Sequence, residues 1–202
     1  MVEDSNFYQV PKPGEAYISA IRIFHQGSLM SNSVKQSDGP RGGEAKTLTG
    51  GCACGAIRYR LAERPMIVHA CHCRDCQRIT GGAFVINLWI ERRLVETLSG
   101  APKSFRLAGG SGKAHDVFFC GACGTHLWSR YHGAPGDALF IRAGTLDAPE
   151  AVTPDVHIFT RSKLPWLELP KDAASFDTFY KLDRLWTQQA KERLRRNRAE
   201  PA

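Results

Sequence analysis

No apolar run in this 202-residue chain approaches the ~20 residues that a membrane-spanning helix needs. The longest, Ala83–Ile90, is short and is interrupted by Asn87. The first 30 residues lack a basic start followed by an apolar core, which is the mark of a secretory leader. A cytoplasmic location with no membrane partner is therefore the expectation. GxGxxG, the P-loop and GxSxG are also missing from the patterned part of the chain. Dinucleotide binding, P-loop chemistry and nucleophile-elbow hydrolysis thus lack their signatures. Nor is the cysteine count even: there are seven. A disulfide framework prefers an even number and a secreted context, and neither condition is met.

What the chain does hold is ordinary in bulk: 43% hydrophobic and 23% charged residues, enough for one domain with its own core. The net charge of +7 is uneven, with residues 1–50 summing to zero, 51–190 to +4 and 191–202 to +3. The basic run KERLRRNR (Lys191–Arg198) could meet an acidic partner. The simpler reading is a solvated helix end whose charge suits the C-terminal dipole, so nucleic acid is not expected as a partner.

Residues 1–45 read as an irregular N-terminal extension, rich in Pro, Gly and Ser between Ser31 and Ala45. Met30 is a candidate true start, and Tyr17–Phe24 could instead be an added strand. Strong pattern begins at Lys46. Ile57, Tyr59 and Leu61 alternate with Arg58 and Arg60, the period of a half-buried strand. Met66–Ala70, Ala83–Ile90, Ser104–Leu107, His115–Phe119, Thr125–Ser129, Ala138–Ala143 and Val156–Thr160 follow as short strands between Gly and Pro breakers. The expected fold is mainly β and antiparallel. Asp177–Arg198 lacks breakers, with Phe179, Leu182, Leu185, Trp186 and Ala190 at helical spacing. One C-terminal amphipathic helix, or two short ones, is expected there.

Each cysteine has another two or three positions away, in CAC (Cys52, Cys54), CHCRDC (Cys71, Cys73, Cys76) and CGAC (Cys120, Cys123). Such pairs suit a metal, because thiolates converge from one turn. A structural zinc takes four thiolates. Joining the two doublets gives four without splitting the triplet. Both doublets are bracketed by glycine, which permits the positive φ of a knuckle turn. The triplet then stands alone, and three protein ligands with an open fourth place is the pattern of a catalytic zinc. His72, His126 or His157 could instead close that site, or the three cysteines could be a reactive group without metal. Iron would fit four thiolates as well as zinc does. Arg74 and Arg78 bring positive charge beside the triplet and would favour an anionic substrate.

The motifs GGCACGAIRY, HACHCRDCQRITGGAF and FFCGACGTHLW, with the later HIFTRSKLPWLELP, resemble the glutathione-dependent formaldehyde-activating enzyme family, whose domain is shared with centromere protein V. The resemblance runs from about residue 46 to 183, leaving 184–202 as a basic helix or tail. It implies a zinc-pinned antiparallel β-tent with a C-terminal helix. It also implies two zinc ions per chain: a structural one on Cys52, Cys54, Cys120 and Cys123, and a second on Cys71, Cys73 and Cys76. The implied reaction is condensation of formaldehyde with glutathione, a carbon–sulfur lyase activity on small thiol and aldehyde substrates. His72 or His157 could supply the proton the alkoxide needs. A non-catalytic zinc-binding interaction module using the basic tail is the alternative. A methionine sulfoxide reductase would need a redox cysteine outside the metal sites, and none is left.

Overall fold

Alternation of apolar and polar residues builds two sheets. The structure, a computed structural model, describes residues 47–199. The N-terminal extension 1–45, the Met30 start, the Tyr17–Phe24 strand and the last tail residues, 200–202, lie outside the described residues. Strands β1 (Leu48–Gly51), β2 (Arg58–Leu61) and β5 (Val95–Ser99) form a three-stranded antiparallel sheet in the order β1-β2-β5. The alternation on β2 puts Tyr59 and Leu61 inside and Arg60 outside, where Arg60 pairs with Glu96 of β5.

The second sheet has eight strands. In chain order they are β3 (Ile67–Cys71), β4 (Val85–Glu91), β6 (Lys103–Ala108), β7 (Ala114–Phe119), β8 (His126–Tyr131), β9 (Ala138–Arg142), β10 (Val156–Ile158) and β11 (Ser175–Phe176). In space they run β11-β10-β3-β4-β9-β8-β7-β6. Neighbours are antiparallel except around β10, which lies parallel to both β3 and β11. The expected antiparallel topology thus holds through most of both sheets and reverses at this one edge. The chain enters β10 through 3-10 turns at Ala143–Thr145 and Pro149–Ala151, a crossover rather than a hairpin, so a parallel pairing can close.

Strand β4 lies between two cores. Leu88 and Ile90 pack with Tyr59, Leu61, Leu127 and Ile141 in the space between the sheets. Trp89 faces the opposite side with Ile67, Val156, Tyr180, Trp186 and Leu194. Each large side chain buried this way contributes roughly 1.5–3 kcal/mol.

Two helices complete the fold. Helix α1 (Arg74–Thr80) begins inside the cysteine triplet and ends at Gly81, whose φ of 69° forms the left-handed cap. Helix α2 (Gln188–Ala199) starts later than the helix expected from Asp177. Phe179 and Tyr180 leave helical geometry to lie against the sheet. The Tyr180 hydroxyl accepts from Trp186 Nε1 (2.9 Å) and shares a hydrogen bond with His69 Nε2 (2.8 Å). These tertiary contacts override the helical spacing, leaving one 3-10 turn at Leu182–Arg184. Thr187 then caps α2, its hydroxyl accepting from the Ala190 N–H at 3.1 Å.

The basic end is not wholly solvated. Arg193 is buried and forks onto the fully buried Glu91, Nε to Oε1 at 2.9 Å and Nη2 to Oε2 at 2.5 Å. Its Nη1 donates to Arg64 O at 2.8 Å. No helix among the described residues is long and apolar enough to cross a membrane.

Candidate functional site

The doublets meet as their spacing predicts. Cys52 follows β1 and Cys120 follows β7, so the turns come from different sheets. In the first turn Gly55 N–H donates to Cys52 O, and in the second Gly124 N–H donates to Cys120 O. Gly55 and Gly124 adopt φ of 76° and 73°, which glycine takes without strain. The four sulfurs lie within 4.8 Å of one another, with Cys52–Cys54 at 3.4 Å and Cys54–Cys120 at 3.8 Å. Four sulfurs ~2.3 Å from a common ion stand ~3.8 Å apart in a tetrahedron, so this donor set fits zinc. Ile57 N–H points at Cys52 Sγ (3.2 Å). Hydrogen bonds from the Thr125 hydroxyl and N–H bring the Cys123 thiol down to about 5.

The triplet is assembled by a strand end and a helix start. Cys71 closes β3, Cys73 is the N-cap of α1 and Cys76 lies in its first turn. Their sulfurs also lie within 4.8 Å of one another. Cys76 N–H donates to Cys73 Sγ at 3.4 Å. Donation from Cys71, then from Cys76, carries Cys73 down to about 2, while contact with the other two sulfurs and burial push Cys71 up.

Among the described residues no histidine or carboxylate joins these three sulfurs. His72, fully buried, shares a hydrogen bond with His157 (Nε2 to Nδ1, 3.0 Å) and packs on Phe84. His126 faces Arg142 instead. None of the three histidines lines the cavity beside the triplet. Arg74 does line it, whereas Arg78 lies exposed on α1 outside it.

That cavity, of about 650 Å³, lies on one face of the large sheet. The strand period places Cys71 and His69 of β3, Asn87 and Trp89 of β4, Phe140 and Arg142 of β9, and Ser129 and Tyr131 of β8 on its floor. Sequence reasoning missed Arg142 and His115. Arg142 is only 5% exposed, yet among the described residues it meets no carboxylate. Its donors go to Asn87 Oδ1, to Ser129 Oγ (2.9 Å) and to His126 Nε2 (3.1 Å from Nη2). Burial lowers its pKa, and the triplet sulfurs act against that shift. The partners that hold this cation are all neutral. His115 of β7 also lines the cavity, and burial, then Arg142, lowers its pKa, so it is a neutral imidazole at pH 7.

Comparison with known proteins identifies the family. Residues 47–162 match the model of the glutathione-dependent formaldehyde-activating enzyme family. A Halomonas elongata protein named "Putative glutathione-dependent formaldehyde-activating enzyme" is 27% identical over 127 residues, covering 60% of this chain and 80% of the relative. A crystal structure of a Rhodobacter sphaeroides protein superposes with a TM-score of 0.41 at 20% identity, covering 52% of this chain and 91% of that one. The family match takes in more than half of the chain and all seven cysteines, so the chain belongs to the glutathione-dependent formaldehyde-activating enzyme family.

Proposed function

We propose that the protein adds a thiol, glutathione or a close relative, to formaldehyde or another small aldehyde, as a carbon–sulfur lyase-type enzyme of the cytoplasm. The observation that carries this reading is the open triplet: three converging sulfurs at a cavity wall, with no fourth protein ligand among the described residues. Zinc held by Cys71, Cys73 and Cys76 would supply a Lewis acid with a free position at which an entering thiol ionises. A second zinc on Cys52, Cys54, Cys120 and Cys123 would be structural, pinning one sheet to the other as in the β-tent that the family resemblance implies.

The chain's own residues supply the rest. Arg142 offsets the negative charge that three thiolates and a substrate thiolate bring together. Arg74 and Arg161 at the cavity wall suit the carboxylates of a glutathione-like thiol. His115, rather than His72, stands where a neutral imidazole can take the thiol proton and return it to the alkoxide. A sulfur–carbon bond forms, the carbonyl π pair moves to oxygen, and that oxygen takes the proton the thiol gave up.

Thiols add to formaldehyde unaided, so the test needs a readout besides rate. Metal content per chain should be two in wild type and one in Cys73→Ser. X-ray absorption on adding glutathione should show sulfur replacing a lighter ligand at one site. A single metal in wild type, or two whose ligands never change, would sink the reading.

A further inference from the structure

Formaldehyde has one carbon and no apolar surface, yet the cavity beside the triplet carries a wall of aromatic rings. Trp89 and Phe140 are cross-strand partners with ring centroids 5.0 Å apart. Phe179 lies 6.5 Å from Trp89 and 6.4 Å from Phe159. All four line the same space as Cys71, Cys73 and Cys76. Trp89, only 1% exposed, backs this wall, while Phe179 remains 42% exposed, so packing does not consume its ring.

Phe159 is the sharpest feature. Among the described residues it is the one non-glycine residue with positive φ (57°, ψ 38°). Holding a bulky residue there costs on the order of 1–3 kcal/mol. The surroundings enforce it. Phe159 N–H donates to Thr178 O (3.1 Å) and its carbonyl accepts from Ser162 N–H (3.0 Å). Buried Gln77 of α1 ties that turn to the triplet, donating to Ser162 O (2.9 Å) and His72 O (2.7 Å). Ile158 is the register partner of Cys71, so the strained residue is the next one beyond the triplet's own strand pair. A glycine would make this turn without strain. What phenylalanine adds is a ring at the cavity.

Polar groups line the same cavity. Arg74, Ser111 and Tyr131 are among them, and the Gly110 N–H is tied to Asp75 Oδ2 of α1 at 2.7 Å. Aromatic rings and polar groups in one cavity suit two substrates. We propose that the aromatic wall is the aldehyde subsite and that the aldehyde carries a planar apolar group, an aromatic aldehyde being the class that fits. This rests on the thiol–aldehyde reaction above and names its second substrate. The thiol sulfur bonds to the aldehyde carbon, the carbonyl oxygen takes the thiol proton, and the product is an aromatic hemithioacetal, with no oxidant or reductant involved.

The test uses the full-length, metal-loaded protein with glutathione. Initial rates for benzaldehyde and for formaldehyde are measured above the uncatalysed background. In parallel, saturation-transfer NMR follows benzyl alcohol, which cannot react. The expected result is a kcat/KM for benzaldehyde about tenfold above that for formaldehyde, with saturation transfer to the benzyl ring. Phe159→Gly, which suits the backbone, should lower the benzaldehyde-to-formaldehyde ratio about tenfold and remove the NMR signal. Phe179→Ala serves the same purpose should the first variant fail to fold. No preference for benzaldehyde together with no benzyl signal overturns the subsite. So does a Phe159→Gly effect confined to the KM of glutathione. Turnover of formaldehyde alone sinks the aromatic subsite and spares the thiol–aldehyde reading; turnover of neither aldehyde sinks both.

Discussion

Arg142 shows what one residue can do in a buried site. A guanidinium inside a protein without an anion carries a desolvation cost that neutral acceptors offset in part. Asn87, Ser129 and His126 hold its fork but not its charge. If the triplet is its counter-charge, Arg142→Met should lower triplet metal occupancy and reduce kcat/KM by about 10²-fold. Arg142→Lys should recover metal better than activity, since lysine restores the charge and not the fork. Metal analysis beside steady-state kinetics separates the two effects. His126 carries a second consequence. Burial, then Arg142, holds its pKa at about 3 against an ordinary 6.5. The unfolded chain therefore takes up this proton first, so stability is lost as pH falls from about 6.5 toward 3. Urea midpoints at pH 7 and pH 5 should differ less in His126→Gln than in wild type. Neither role was legible in the sequence. A lone arginine ending the apolar run ALFI reads as surface charge, and nothing local says that β8 and β4 will enclose it.

At the scale of elements, most strands were legible as short apolar or alternating runs between breakers, whereas β1, β5 and β11 were not. Arg58–Leu61 is the clearest, with two inward residues and an outward arginine paired across the strands. Helix α1 was missed because its seven residues are too few to display a period. Its signs were instead an N-cap sulfur and a following Gly81, both hidden by the metal-ligand pattern. The C-terminal helix was overextended because apolar spacing cannot separate a helix from an irregular segment that packs aromatic rings on a sheet. The strand β10 pairs with β3 across 87 positions (Val156 with His69), which no local signal specifies. Helix α2 is fastened by Arg193 on Glu91, a buried pair from distant parts of the chain. Removing one partner strands the other charge. Arg193→Ala should therefore cost about 3–5 kcal/mol, while the apolar pair Glu91→Leu with Arg193→Met should cost far less. Chemical denaturation of the three variants checks this. Thr187→Ala, removing the α2 cap, should cost about 1 kcal/mol in the same measurement.

For the whole molecule, the four-cysteine cluster joins the two sheets, one turn following β1 and the other β7. Cys54 and Cys120 lie 66 positions apart, so a metal shared between them closes a long loop that the unfolded chain would otherwise keep open. Loop-closure entropy for a link of that length is about 4 kcal/mol. For the size of this unit that corresponds to a Tm change of roughly 10 °C. The triplet differs, because its three ligands lie within six residues of one strand end and one helix start. A metal there closes almost no loop and should contribute little to holding the sheets together. The two sites therefore separate under mutation. Cys123→Ser should lower the Tm by roughly 10 °C, with loss of one metal and a cooperative loss of both sheets by circular dichroism. Cys73→Ser should lose one metal and the activity with the Tm nearly unchanged. Cys54 and Cys123 are exposed, so a strong chelator should reproduce the Cys123→Ser shift in wild type. Equal Tm losses in the two cysteine variants would show that the long-loop link is not what joins the sheets.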